Sequence, residues 1–123
     1  MAKTVVVVFS DPKAGGEDAL GRLLNALFLT IELKDKQQDV TLIFQGAGSR
    51  WPAELTKPEH AAHALYNAVK DTAIACGGCA DAFGAESGEL AGIKYVRERA
   101  IPGTTGVIDL SKYLDDGARL ITF

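Results

Sequence analysis

Four consecutive valines followed by a phenylalanine, Val5-Val6-Val7-Val8-Phe9, set the strongest constraint on how this chain folds. A β-branched apolar run without polar alternation reads as a strand covered on both faces, and such strands belong to parallel sheets flanked by helices. Asp11-Pro12 and Gly15-Gly16 break the run. Leu20, Leu23, Leu24, Leu27, Phe28 and Ile31 then recur at helical spacing and give one apolar face, which ends at the polar stretch Lys34-Asp35-Lys36-Gln37-Gln38. Val40 to Phe44 reads as a second strand, closed by Gly46 and Gly48. The loop Gln45 to Pro52 leads to a second helix, for which Thr56 and Glu59 have capping-box spacing, Pro58 fits a first turn, and Ala61, Leu65, Ala68 and Val69 form the expected buried stripe. Thr72 to Ala75 is a short third strand, and Cys79 to about Ala85 a short helix limited by Gly84 and Gly88. Ile93 to Val96, with Ile101 as its furthest limit, reads as a fourth strand, Pro102 to Gly106 as a loop, Ile108 to Asp116 as a helix stopped by Gly117, and Arg119 to Phe123 as a closing strand.

This alternation of strands with crossovers of helical length predicts a three-layer α/β/α sandwich around a mainly parallel sheet of about five strands. At 123 residues, with no repeat, linker or low-complexity segment, the chain is expected to form a single domain over residues 1–123. A net charge of -3 and a pI near 5.3 argue against a dedicated nucleic-acid binder, which carries a basic excess. The first apolar run is too short for a signal segment, and no stretch has the length of a membrane span. A cytoplasmic location is expected, where thiols stay reduced and a cysteine pair is catalytic, redox-active or metal-binding more often than a structural disulfide.

That pair is Cys76 and Cys79, in Ala75-Cys76-Gly77-Gly78-Cys79 at the junction of a strand and a helix. A thiol at a helix start is stabilised as the thiolate, the nucleophilic form. In open parallel sheets ligand sites lie beyond the carboxyl ends of the strands, where four loops emerge here: Ser10 to Gly16, Gln45 to Pro52, Cys76 to Cys79, and Ala100 to Gly106. Cys76 is the first candidate for a functional thiol, with free burial as the competing reading. Cys79 either resolves a disulfide with Cys76 or packs. Gly77 and Gly78 are expected to let a substrate approach the backbone closely. The second helix is expected to bring His60 and His63 to the same rim, with His63 or Arg50 supporting the anion and Trp51 either roofing the site or burying itself at a subunit contact. Cys-x-x-Cys with His60-x-x-His63 invites zinc, but order and spacing match no finger pattern, so no metal and no cofactor is expected. Gly15-Gly16 lacks the Gly-Lys-Thr/Ser that a phosphate-cradling loop requires.

The stretch Cys76-Gly77-Gly78-Cys79-Ala80-Asp81-Ala82-Phe83-Gly84 resembles the DsrE/DsrF-like sulfur-relay family, whose pattern is a Cys at a strand end, small residues, and a Gly eight positions on. The Val-rich first strand, the long apolar helix from Gly16 and the ending Gly117-Ala118-Arg119-Leu120-Ile121-Thr122-Phe123 look like the same family, so the likeness spans essentially the whole chain. The chain departs from the best-understood sulfur-relay members in having Cys79, and in having Ala82-Phe83 where they carry an Arg-rich turn. The resemblance implies a parallel α/β sandwich, assembly into homotrimers or homohexamers, and a sulfur carrier in which Cys76 holds a persulfide taken from a donor protein and passed to an acceptor. Two other readings stay open: a thiol–disulfide redox protein using Cys76 and Cys79, and a non-catalytic small-molecule-binding or assembly domain.

Overall fold

The computed structural model describes residues 3–85 and 92–123. The expected stop at Gly88 lies outside the described residues. Five strands form one sheet, β1 (Thr4–Val8), β2 (Val40–Phe44), β3 (Ala73–Cys76), β4 (Lys94–Val96) and β5 (Arg119–Thr122), in the order β4-β3-β2-β1-β5 with every pairing parallel. β1 sits between β2 and β5, and all its residues are buried, as its unbroken apolar run requires. Full burial of each of Val5 to Val8 contributes roughly 1.5–3 kcal/mol.

Helices lie on both sides of the sheet. α1 (Gly16–Asp35) packs Leu23, Ala26 and Leu27 onto Val6, Val8, Leu42 and Phe44. α2 (Trp51–Leu55) and α3 (His63–Val69) cover the same side. α5 (Ser111–Asp115), with Ile108 and Tyr113, covers the other side against Val5, Val7 and Ile43. α4 (Gly77–Phe83) begins directly where β3 ends and packs along a 3₁₀ turn at Gly46–Arg50. It stops at Gly84, which adopts the left-handed conformation at φ 63°.

The segment after β2 differs from the expected single helix. Pro52 sits in the first turn of α2, so a helix starts at Trp51, well before the predicted cap. Thr56 therefore lies at the C-terminus of α2, its hydroxyl donating to the Ala53 carbonyl at 2.8 Å, and forms no capping box. α3 starts only at His63, and its buried stripe is Ala62, Tyr66 and Val69, with Ala61 and Ala68 exposed. β4 ends at Val96 and does not extend to Ile101, because Arg97, Glu98 and Arg99 face solvent.

Candidate functional site

Strand alternation decides where the first thiol points. Ala73 and Ala75 of β3 face α1 and α3, so Cys76 faces the opposite side, in the cluster with Val5, Val7, Ile43, Ile108 and Tyr113. Cys76 is also the N-cap of α4, in extended conformation, and its Sγ accepts the Cys79 backbone N–H at 3.4 Å. The backbone N–H groups of Ile108 and Gly78 also aim at this sulfur, and the Cys79 thiol donates to it. Donation from Cys79 is the largest effect; with the backbone donors it outweighs burial and brings the Cys76 thiol down from its ordinary value of 9.0 to about 6. The same hydrogen bond, then burial, pushes the half-buried Cys79 thiol strongly upward, although the Gly46 N–H favours its ionised form. The shared hydrogen bond favours ionisation of one sulfur of the pair and keeps the proton on the other.

Thiolate absorbance is therefore expected to titrate at Cys76 with a midpoint of about 6, and Cys79→Ala is expected to move it upward by removing the chief donor. Folding lowers the pKa of this thiol, so its contribution to stability is complete above the unfolded thiol value and is lost as pH falls through about 6. Urea unfolding between those limits should show stability rising with pH, by at most about 1.4 kcal/mol per unit from this group. A flat profile with no low thiol ionisation would refute the cradle.

The sulfur is not open to solvent. Cys76 is 0% exposed, contrary to the expectation of a reachable rim thiol. The segment after β4 turns back as a hairpin, with Arg99 and Val107 exchanging two backbone hydrogen bonds of 2.9 Å, and it lays Gly106, Val107 and Ile108 over the start of α4. The two glycines serve this closure and offer no room to a substrate. A Cβ on Gly77 would overlap the Arg97 side chain, whose Cζ would be 2.8 Å away, and one on Gly78 would overlap the Gly106 carbonyl oxygen. Arg97, Asp81, Thr105 and Ile108 are thus parts of the site that the sequence does not single out; its cues are the 100–106 loop at this edge, which contains Thr105, and a charged Arg97 directly after β4.

Arg50 faces the chain itself. Its Nη1 donates to Asp11 Oδ2 at 2.9 Å, and its Nε and Nη2 donate to the Phe83 carbonyl at 3.2 and 2.9 Å, tying the C-terminal end of α4 to the loop after β1. The Lys13 backbone N–H and then Arg50 hold the Asp11 carboxyl below its usual range. Trp51 is 3% exposed in the core under α1, its indole N–H donating to the Ser10 carbonyl at 2.8 Å, so it is buried within this chain and neither roofs the site nor is left for a subunit contact. His63 lies across the sheet from Cys76: its ring nitrogens meet the Leu55 carbonyl at 2.8 Å and Asn67 at 3.0 Å. His60 accepts the Ala62 N–H and packs edge-on against Trp51. The structure therefore brings Cys76, Cys79, Gly77 and Gly78 together and leaves both histidines away from them. Among the described residues no three His, Cys, Asp or Glu side chains converge as a metal would need. A groove of about 440 Å³ beyond β1 and β5 is lined by residues such as Phe9, Asp11, Arg22 and Phe123, and by neither cysteine. No described helix is long and apolar enough to cross a membrane.

The chain is similar to an uncharacterized protein of Methanocaldococcus jannaschii, with 31% identity over 99 residues, 80% of this chain and 78% of the other. A solved structure of a conserved protein of unknown function from Bacteroides thetaiotaomicron shares the fold, with TM-score 0.58 and 16% identity, covering 98% of this chain and 94% of that one. The sequence profile of the DsrE/DsrF-like family matches residues 3–123. A five-stranded parallel sandwich with a cysteine closing its third strand, matched by that profile almost end to end, makes this chain a member of the DsrE/DsrF-like family.

Proposed function

We propose that this protein carries sulfane sulfur on Cys76. The family is associated with sulfur relay, and the observation that carries the reading is the set of donors on one sulfur, from Gly78, Cys79 and Ile108 backbone and from the Cys79 thiol. These donors favour negative charge at Sγ, which is what the attacking and the departing thiolate both need. Cys76 as thiolate attacks the outer sulfur of a donor persulfide, R–S–SH; the inner S–S bond breaks, R–S⁻ leaves, and Cys76 holds –S–SH. An acceptor thiolate then attacks that outer sulfur and Cys76 departs as thiolate, with no net oxidation. The partners are donor and acceptor proteins, and a cytoplasmic setting that keeps thiols reduced suits them. Assembly into a homotrimer or homohexamer is part of the same proposal, supported by the uncovered edge of β5 and by exposed Phe9, Phe28 and Ile121.

The second reading, a Cys76–Cys79 dithiol–disulfide couple, is favoured by the hydrogen bond between the two thiols. One measurement separates them. After incubation with a persulfide donor and mapping by peptide mass, sulfur carriage gives a gain of one sulfur atom on Cys76. Loss of two hydrogens across Cys76 and Cys79 would favour the redox couple, and unchanged masses would refute both.

A further inference from the structure

The hairpin that covers Cys76 is fastened to the exposed side of α4 through one carboxylate. Asp81, on the exposed side of α4, accepts Arg97 Nε at 3.1 Å on Oδ2 and Arg97 Nη2 at 3.0 Å on Oδ1, and its Oδ2 also accepts the Thr105 hydroxyl. One carboxylate therefore grips both arms of the hairpin, the arm leaving β4 and the arm returning toward α5. The Arg97 stem lies across Gly77, and Gly106, next to Thr105, lies on Gly78. Beneath these contacts is the buried sulfur.

The remainder of the hairpin holds on weakly. Residues 97 to 105 are exposed, and only Gly106 and Ile108 are buried against the body. Arg97 and Asp81 are 37% and 40% exposed, so water competes for their hydrogen bonds and opening them is a small local event. The base of the hairpin has its own tie, Lys112 Nζ to both Glu98 carboxylate oxygens at 2.7 and 2.8 Å, which does not involve α4. Losing the Asp81 bonds would release the two arms of the hairpin from α4 and leave the tie at its base in place.

We infer that Asp81 is the positioning residue that governs access to Cys76: by holding Arg97 and Thr105 it keeps the 97–108 hairpin closed over the sulfur, and a thiol or persulfide partner reaches Cys76 only when that grip is released. The biological meaning of the gate rests on the sulfur-carrier reading, but its existence is measured without any sulfur donor.

The test is the rate at which N-ethylmaleimide labels each cysteine of the full chain, read separately by peptide mass. Asp81→Ala is expected to raise the Cys76 rate about tenfold, the effect of losing hydrogen bonds to a charged group from a local opening equilibrium. The Cys79 rate and the melting temperature should stay near wild type, which a merely structural role would not allow. Asp81→Glu should return the Cys76 rate to within about threefold of wild type. Thr105→Val, a surface change that removes one of the three bonds, should raise it by about threefold, and it decides the question where Asp81→Ala does not fold. The inference is overturned by a wild-type Cys76 that labels as fast as a free thiolate at the same pH. It is also overturned by Asp81→Ala and Thr105→Val rates equal to wild type, or by Cys79 labelling that rises in parallel with Cys76. Gated labelling without persulfide loading would leave the gate standing and remove the carrier role.

Discussion

Cys76→Ser is expected to abolish persulfide loading while leaving the fold intact. The position has two jobs, and serine does one of them. As the N-cap of α4, residue 76 must offer an acceptor to the Cys79 backbone N–H, and a serine oxygen is a preferred acceptor there, so the melting temperature should stay close to wild type. As a nucleophile, residue 76 must be an anion near neutral pH, which the donors around it achieve for a thiol and cannot achieve for a hydroxyl. Cys79→Ser gives the contrast. A serine hydroxyl at 79 still donates to the Cys76 thiolate, so loading should continue, with a rate within about tenfold of wild type. Intact mass after treatment with a persulfide donor reads both variants. Loading of Cys76→Ser at the wild-type level would sink the assignment, and its loss in Cys79→Ser alone would transfer the carrier role to Cys79.

The parts of this molecule that could be read from the sequence are those decided within a few residues. Val5 to Val8 announce a doubly covered central strand because burial on both faces leaves no room for alternation, and β1 lies between two parallel neighbours. The leucine spacing gives α1 nearly to its ends. Cys76 falls at the β3–α4 junction because a strand-forming run meets two glycines there. The misreadings have a different origin. Thr56 and Glu59 match a local pattern, yet Pro52 starts a helix earlier and leaves Thr56 at its end. Arg50 finds Asp11 thirty-nine residues away, and Trp51 finds Ser10 forty-one residues away. Both look available to a ligand in the sequence because a single sequence does not show tertiary partners. Reading the glycines at 77 and 78 as substrate access fails for the same reason: their need for a missing side chain comes from Arg97 and Gly106, which the fold delivers from beyond β4. His63 is expected beside Cys76 and lies across the sheet from it, since the strand-end rule fixes an edge and says nothing about a face.

Gly48→Ala is expected to be among the most damaging small substitutions in the chain. Gly48 is buried in the 3₁₀ turn after β2, and a Cβ there would overlap the Val8 carbonyl oxygen and stand 2.9 Å from the Val8 carbonyl carbon. Neither atom has freedom to retreat. The Val8 carbonyl accepts the Gln45 N–H at 3.0 Å, and the next residue, Phe9, donates to the Phe123 carbonyl at 2.8 Å, so the end of β1 is fixed from both neighbouring strands. Relief must come from moving the turn, and the turn carries Gly46, whose N–H faces Cys79, and Arg50, which holds the end of α4. We expect a loss of about 3 kcal/mol, seen as a fall in melting temperature of roughly 10–15 °C for a chain of this size. Gly21→Ala is the matched control with the opposite sign. It lies inside α1 with nothing within 4 Å of its added Cβ, and alanine there should stabilise by about 0.5–1 kcal/mol through helix propensity. If both variants melt within a degree or two of wild type, the turn is not braced against β1. The cysteine pair would then owe its geometry to α4 and the 97–108 hairpin without help from the loop after β2.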